Sequence, residues 1–133
     1  MTEQTEQSFD QLQKALNGLE EILLLKPSVS RVEIDAAIHR FEFSIELFWN
    51  SLRKLLFDEY GIEVNAPKTT LQQAYANNLI SVEAMWLSML NDRNLTSHCY
   101  QEKLADEVYA RIKKYAPFMQ EQLQLCLDKK RIV

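Results

Sequence analysis

Glycine and proline are scarce in this sequence, which has two glycines and three prolines among its 133 residues. An all-β chain of this length needs many more turn residues, so the composition predicts long helices joined by few connections. Cysteine is scarce as well, with only Cys99 and Cys126. Two cysteines exclude a dense disulfide scaffold, and we expect both to be free thiols in a reducing compartment.

The sequence also lacks a basic excess and any long hydrophobic run. Its formal net charge of −4 argues against non-specific binding of duplex nucleic acid over a wide surface, although a local basic cleft stays open. No apolar run approaches the roughly 20 residues that a membrane-spanning helix requires. Residues 1–7 contain neither the basic nor the apolar region of a signal peptide. We therefore expect a cytoplasmic protein with no membrane partner.

Motifs for cofactors, metals and covalent catalysis are absent. No glycine-rich phosphate loop occurs, which excludes a kinase or a nucleotide-hydrolysing enzyme built on such a loop. No nucleophile elbow or orienting motif for a catalytic serine or cysteine is present. His39, His98, Cys99 and Cys126 do not have the spacing of zinc ligands. The sequence therefore predicts neither a cofactor nor a bound metal.

What the sequence does contain is a globular composition, with 47% hydrophobic and 26% charged residues. The length fits one domain over residues 1–133. Apolar residues recur at three- and four-residue steps, which is the spacing of one face of an α-helix. Three long helices show this spacing, at Phe9, Leu12, Leu16, Leu19 and Leu23; at Ile34, Ile38, Phe41, Ile45, Phe48, Leu52 and Leu55; and at Leu104, Val108, Ile112, Tyr115, Met119, Leu123 and Cys126.

Polar residues and a glycine mark the expected helix ends. Ser8 or Asp10 is suited to cap the first helix. Ser30 and Glu33 form a capping-box pattern that opens the second helix. Gly61 is a suitable C-terminal stop for that helix, which we expect to end at about residue 60.

Two shorter helices are expected between residues 61 and 101. The first has Tyr75 on its apolar side, and the second begins at Ser81 with Val82 on its buried side. The polar stretch 91–101 should be irregular, since its side chains compete for backbone hydrogen bonds.

The last helix contains Pro117, which should kink it because proline lacks a backbone donor and crowds the preceding turn. The basic tail, residues 129–131, suits the C-terminal end of a helix. Four main helices and one short helix, joined by short connections, predict an all-α protein: an antiparallel up-and-down four-helix bundle with one extra short helix.

The second helix is apolar around a wider arc than a single core accommodates. Two interpretations stay open: a thick core, or a second buried face and therefore a homodimer. The residues concerned are Phe41, Phe43, Leu47, Phe48, Trp49 and Phe57.

Arg93 and His98 form the most suggestive pair of side chains. On an unbroken helix they point to different faces, so they can converge only if the helix ends between them. A guanidinium matches a phosphate, and an imidazole accepts or donates a proton near neutral pH. Together they suit metal-free cleavage of an RNA phosphodiester.

Structural roles are the commoner outcome for such a pair when only the spacing is known. Arg93 would then pair with Asp92 or with a helix end, and His98 would cap a loop. Glu42 and Glu46 have the spacing of an ion-paired or solvated helix face, or they project toward the cleft of Arg93 and His98.

These residues, taken with their neighbours, resemble the HEPN superfamily, and within it the branch of nucleotidyltransferase substrate-binding proteins. The resemblance runs in order from Phe9 to Leu125. Its most specific part is the stretch from Arg93 to Tyr100. The segments that carry it are Arg40–Phe43, Glu46–Trp49 with Leu52, Asp92–Tyr100 and Ile112–Pro117.

The resemblance implies a homodimeric bundle that binds a minimal nucleotidyltransferase and acts as its substrate- or nucleotide-binding component. The wider superfamily uses an Arg-x4-6-His motif as a metal-independent ribonuclease centre assembled across the dimer. Arg93, His98 and Tyr100 match the extended form of that motif. In toxin–antitoxin members, the transferase silences the ribonuclease by adenylylating a tyrosine of the motif, which would be Tyr100. The resemblance therefore implies two functions, a partner-binding module first and an RNA-cleaving toxin second.

Overall fold

This computed structural model describes residues 1–132, with side chains described for residues 1–128. Within this range the chain forms five α-helices and one 3-10 helix. The all-α prediction is confirmed. The elements are α1 (Glu3–Leu23), α2 (Val32–Tyr60), α3 (Pro67–Ala76), α4 (Glu83–Leu95), the 3-10 helix Thr96–His98 and α5 (Glu102–Ile132).

Helices α1 and α2 form an antiparallel pair. The Thr5 hydroxyl at the start of α1 donates to the Asp58 carboxylate near the end of α2, at 2.6 Å. At the other end of the pair, the Arg40 guanidinium donates to the carbonyl of Gly18, also at 2.6 Å. The connection between the two helices is therefore short, as the sequence predicts.

Helix α4 packs against α2 and meets α5 through side-chain contacts, and it runs antiparallel to both. Trp86, near its start, meets Phe48 of α2 edge-to-face, with ring centroids 4.7 Å apart. Near its end, the Asp92 carboxylate accepts from Arg111, which lies towards the start of α5. Helices α1, α2, α4 and α5 thus alternate in direction, and α3 is the extra short helix of the predicted bundle.

The predicted helix faces form the core. Phe41, Phe48, Leu52 and Trp86 are fully buried in it. Two residues that we expected on buried faces are exposed instead, Tyr75 at 45% and Val82 at 54%. Val82 precedes α4 as its N-cap, in a left-handed conformation with φ 56°, so its side chain is not on the helix face. This also places the start of α4 two residues after Ser81.

The two N-terminal caps differ from the sequence prediction. Helix α1 begins at Glu3, because the Thr2 hydroxyl accepts a hydrogen bond from the backbone N–H of Thr5 at 3.2 Å. Ser8 and Asp10 therefore lie inside the helix. The Ser8 hydroxyl is buried and shares a 2.6 Å hydrogen bond with Ser51 of α2.

Helix α2 begins after Arg31, whose backbone is left-handed with φ 63°. Glu33 does not form the expected capping box with Ser30, since its carboxylate accepts from the backbone N–H and the hydroxyl of Ser28, at 2.7 and 2.9 Å. The other end agrees with the prediction: α2 ends at Tyr60, and Gly61 is its left-handed C-cap, with φ 66°.

Helix α5 continues through Pro117 to Ile132. A kink at Pro117 stays a prediction. The side chains of the basic tail, residues 129–131, lie outside the described part of the chain. None of the helices within residues 1–132 is both long and apolar enough to cross a membrane.

Candidate functional site

The end of α4 positions the residues singled out in the sequence. Arg93 lies in the last turn of this helix, which ends at Leu95, and His98 closes the 3-10 helix that follows. The expected helix break between Arg93 and His98 is therefore present. The expectation of an irregular stretch from residue 91 is wrong, since residues 91–95 still belong to α4. The Thr96 hydroxyl oxygen lies 2.7 Å from the Arg93 carbonyl oxygen at the helix end, so its one proton is shared between this carbonyl and the Glu42 carboxylate.

The Arg93 guanidinium forms an ion pair with the Glu46 carboxylate of α2. The second oxygen of that carboxylate accepts from the Trp49 indole N–H at 2.9 Å. Arg93 also lies 3.4 Å from the side-chain oxygen of Asn94. The alternative in which Arg93 pairs with Asp92 is therefore wrong, and Glu46 does project toward Arg93. Because Glu46 is held by Trp49, the direction of the guanidinium is constrained from the α2 side.

His98 and Tyr100 are both exposed, Tyr100 to 80%. Cys99 between them is half-buried, and its thiol donates to the Leu95 carbonyl with the sulfur 3.6 Å from the oxygen. Burial raises the pKa of the Cys99 thiol above its ordinary value. Cys99 is therefore a packed thiol at neutral pH, and the groups available to a ligand are the imidazole and the phenol on either side of it.

Within one chain, Arg93 and Tyr100 line different depressions. Arg93 lines a cavity of about 550 Å³ between α3 and α4, together with Lys68 and Leu90. Tyr100 lines an open depression of about 300 Å³ that includes Glu42. Between them, Glu42 accepts a 2.5 Å hydrogen bond from the Thr96 hydroxyl. Arg93 and Tyr100 of one chain therefore do not share a depression.

A polar cluster, which the sequence did not predict, lies directly behind Arg93. The Asp92 carboxylate accepts two hydrogen bonds from the Arg111 guanidinium, at 2.7 and 2.8 Å, and one from the Tyr115 hydroxyl, at 2.5 Å. The Ser88 hydroxyl is 2.7 Å from that of Tyr115. Burial, with the hydrogen bond to Asp92, raises the pKa of Tyr115 to about 12. The signal in the sequence was the four-residue spacing of Ser88 and Asp92, matched by that of Arg111 and Tyr115.

The other residues weighed as metal ligands are dispersed. Cys126 is buried, with its sulfur 2.9 Å from the Leu79 carbonyl. Among the residues that the structure describes, no three histidine, cysteine, aspartate or glutamate side chains form a group able to hold a metal ion.

Comparison with known proteins identifies the family. Residues 7–127 match the family model described as nucleotidyltransferase substrate binding protein like. The chain belongs to this family. It is thereby a member of the HEPN superfamily, as the stretch from Arg93 to Tyr100 indicates.

Three relatives agree with this assignment. A probable ribonuclease HepT from Haemophilus influenzae is 31% identical over 108 residues, which cover 75% of this chain and 74% of the relative. A crystal structure of a protein from Thermus thermophilus superimposes with a TM-score of 0.76 at 36% identity, covering 89% of this chain and 97% of that one.

The third relative is HI0074 from Haemophilus influenzae, with a TM-score of 0.74 at 28% identity. The match covers 87% of this chain and 98% of HI0074, whose structure is described as the fold of a substrate-binding domain of a nucleotidyltransferase. The bundle that carries Arg93, His98 and Tyr100 therefore has the same fold as these two solved structures.

Proposed function

We propose that this protein is a homodimeric subunit that binds a separate minimal nucleotidyltransferase and serves as its substrate- or nucleotide-binding component. Membership of the substrate-binding family carries this proposal. The description of HI0074 as a substrate-binding domain of a nucleotidyltransferase supports it. The chain contains no glycine-rich phosphate loop of its own, in agreement with a role that leaves nucleotide chemistry to a partner.

The exposed part of α2 supports the dimer. Phe43 and Phe57 are 56% and 55% exposed, and Leu47 is only half-buried. At 3.6 residues per turn these three residues lie on one side of α2. Asn50 and Lys54 lie on the same side, between Leu47 and Phe57. Exposed apolar side chains rimmed by polar residues mark an interaction site, so we assign this side of α2 to the contact with a second copy.

The proposed contact borders the candidate site. Glu46 lies one turn from Phe43 and directly before Leu47, and it holds Arg93 by an ion pair. A second copy seated on Phe43 and Leu47 would therefore approach Arg93. This placement agrees with a centre that is assembled from two chains, since one chain separates Arg93 from Tyr100.

The test is co-purification with a minimal nucleotidyltransferase from the genome that encodes this protein, followed by sedimentation of the complex and of the free chain. We expect a dimer that retains the transferase. Phe43→Asp should give a monomer, whereas Leu24→Asp, a matched change at a side chain that is 84% exposed outside this face, should leave the dimer intact. A wild-type monomer that ignores the transferase contradicts the proposal.

A second function is supported by the helix break and by the relative named as a probable ribonuclease. We propose that the dimer cleaves RNA without a metal. His98 removes the proton of a ribose 2′-hydroxyl, whose oxygen then bonds to the adjacent phosphorus while the bond to the 5′-oxygen breaks. The 5′-oxygen takes up a proton from water, which leaves a 2′,3′-cyclic phosphate and a 5′-hydroxyl, and His98 returns its proton to the solvent. Arg93 stabilises the negative charge on the phosphoryl oxygens.

Tyr100 is the residue at which the partner would control this activity. Its phenol is 80% exposed, so a transferase can reach it. Transfer of an adenylyl group from ATP to the phenolic oxygen would release pyrophosphate and add a negative charge beside His98. That charge and bulk would exclude the RNA phosphate.

RNA cleavage in EDTA by the purified protein tests the second function. We expect wild-type protein, shown by mass to carry no AMP, to cleave RNA, His98→Ala to lose this activity, and Arg93→Ala to keep a residual rate about 100- to 1,000-fold lower. Lys14→Ala is the control, since Lys14 is exposed on α1 and lines neither the Arg93 nor the Tyr100 depression. Absence of cleavage by unmodified wild type would overturn the ribonuclease function and leave the substrate-binding function standing.

A further inference from the structure

Asp92 is the one charged residue among the buried polar residues of the described chain, with 2% of its surface exposed. It directly precedes Arg93 in α4. A buried carboxylate is strongly disfavoured unless its oxygens are hydrogen-bonded and its charge is paired. Here both oxygens are occupied, and an arginine supplies the opposite charge.

The Asp92 cluster consists of Ser88, Asp92, Arg111 and Tyr115. Ser88 and Asp92 are four residues apart on α4, and Arg111 and Tyr115 are four residues apart on α5, so each pair occupies one helix face. Two parallel hydrogen bonds from a guanidinium to a carboxylate fix both distance and orientation. The cluster therefore determines how α4 is rotated against α5, in addition to holding the helices together.

This rotation determines where Arg93 points. Consecutive residues on an α-helix are about 100° apart around its axis. With Asp92 directed at α5, Arg93 is directed at α2, where Glu46 receives its guanidinium. Along the chain, Asp92 directly precedes the stretch from Arg93 to Tyr100, and Arg111 follows it. The ion pair between Asp92 and Arg111 therefore connects the chain before this stretch to the chain after it.

We propose that the Asp92 cluster positions Arg93: Asp92, Arg111 and Tyr115 are positioning residues for the phosphate-binding guanidinium. The inference deepens the ribonuclease function proposed above and rests on it for its catalytic consequence. Apolar residues of similar size would hold α4 against α5 at least as strongly as a buried ion pair does. The polar cluster differs from such packing in being directional, because its hydrogen bonds form at only one rotation of α4.

The first experiment measures Arg93 itself, through the NMR signal of its side-chain N–H, assigned by its absence in Arg93→Lys. Glu46→Gln supplies the reference position of Arg93 without its carboxylate. Arg111→Lys keeps the charge but loses the two parallel hydrogen bonds, and Tyr115→Phe keeps the ring but loses the hydroxyl. We expect both to move the Arg93 signal toward the reference. Ser51→Ala removes a buried hydrogen bond between α1 and α2 and should leave that signal in place.

The second experiment measures RNA cleavage by the same variants. A guanidinium displaced by about 1 Å should lower kcat by about 10- to 100-fold, with KM changed by less than about two-fold. In an Arg93→Ala background, Arg111→Lys should have no further effect, because residues that act through one group are not additive. A purely structural role would instead lower the residual activity again in that background.

The two experiments separate the positioning role from the enzymatic function. If the Arg93 signal stays at its wild-type position in Arg111→Lys and Tyr115→Phe, the positioning role is wrong, whether or not RNA is cleaved. If the signal moves but unmodified wild type does not cleave RNA, the ribonuclease function is wrong while the positioning of Arg93 stands. An additive loss in the Arg93→Ala background would also overturn the inference.

Discussion

Arg111 and Asp92 differ in exposure, and the difference sets what their ion pair contributes to stability. The Asp92 side chain is 3% exposed, whereas that of Arg111 is 41% exposed. If Asp92 is removed, water can therefore replace its carboxylate at Arg111. The buried hydroxyl of Tyr115 would keep only Ser88 as a hydrogen-bond partner. The contribution of the pair should lie below that of a fully buried ion pair.

Asp92→Ala should accordingly lower the free energy of unfolding by about 2 kcal/mol, from the loss of its hydrogen bonds and from the phenol left with Ser88 as its remaining partner. Urea unfolding followed by circular dichroism measures this. Asp106→Ala, which removes the exposed ion pair with Arg31, is the control and should leave the urea midpoint unchanged within error. An unchanged midpoint for Asp92→Ala would mean that the cluster does not stabilise the fold.

Tyr115 gives the fold a specific dependence on alkaline pH. Its pKa is raised from 10.0, the ordinary value for a tyrosine, to about 12 in the folded protein. Between these values the unfolded state binds fewer protons at this residue, so the free energy of unfolding falls as pH rises from 10 toward 12. The stabilisation by the protonated phenol is fully present below pH 10.

Tyr115→Phe should remove this dependence. The variant should be less stable than wild type below pH 10, and the difference should shrink steadily as pH rises from 10 toward 12, because only the wild-type residue titrates. Urea midpoints of both proteins at several pH values measure it. A difference that stays constant with pH would contradict the raised pKa of Tyr115.

The helix termini show how individual elements are delimited. Gly61 ends α2 in a left-handed conformation, with φ 66°, and a Cβ added there would meet no atom within 4 Å. Gly18 lies within α1, where an added Cβ would have ordinary contact with Arg40, at 3.9 Å. A substitution at Gly61 therefore tests the cost of a left-handed backbone, and one at Gly18 tests the effect of a methyl group inside a helix.

Alanine should have opposite effects at the two positions. Gly61→Ala should lower the free energy of unfolding by about 1 kcal/mol, because a Cβ disfavours the left-handed backbone conformation of this residue. Gly18→Ala should raise it by about 0.5–1 kcal/mol, since alanine favours a helix interior. Thermal and urea unfolding of both variants give the two signs. Destabilisation by Gly18→Ala would show that the approach of Arg40 to its carbonyl does not tolerate a methyl group.

At the scale of the whole molecule, the exposed apolar side of α2 is the main feature left unpaired by the bundle. If it is covered by a second copy, folding and association are linked, and stability depends on protein concentration. The net charge of −4 does not prevent this contact, since the proposed surface centres on Phe43 and Leu47.

The melting temperature should therefore rise by about 3 °C for each tenfold increase in protein concentration, as expected for a dimer of this size. Phe43→Asp should melt at a temperature independent of concentration. Differential scanning calorimetry over roughly a hundredfold range of concentration measures both. A wild-type melting temperature that does not change with concentration would contradict the homodimer.

Much of this organisation was predictable from the sequence because it depends on local periodicity. The spacing of apolar residues along α1, α2 and α5 predicts their buried faces, and Gly61 predicts the end of α2. Polar residues after Met89 correctly predict a helix break between Arg93 and His98. The family was also accessible, because its motif lies within the continuous stretch from Arg93 to Tyr100.

The errors arose where distant residues decide the local structure. Ser8 does not reveal the start of α1, because its local sequence fits a helix cap equally well. Only the contact with Ser51, which is 43 residues away, shows that Ser8 lies inside the helix. The sequence predicts the irregular stretch too early because Asp92, by its residue type, competes for local backbone hydrogen bonds. Its oxygens are occupied by Arg111 and Tyr115, about 20 residues away, so α4 continues to Leu95.

The sequence alone thus determined the fold class, the helix faces and the residues of the candidate site, because helix periodicity and a continuous motif are local properties. Only the tertiary structure decided that Arg93 pairs with Glu46 and that Asp92 pairs with Arg111. The physical reason is that an ion pair forms only between charges that the packed helices bring into contact. The rotation of α4 against α2 and α5 decides which charges these are, and it is determined by the packing of all three helices.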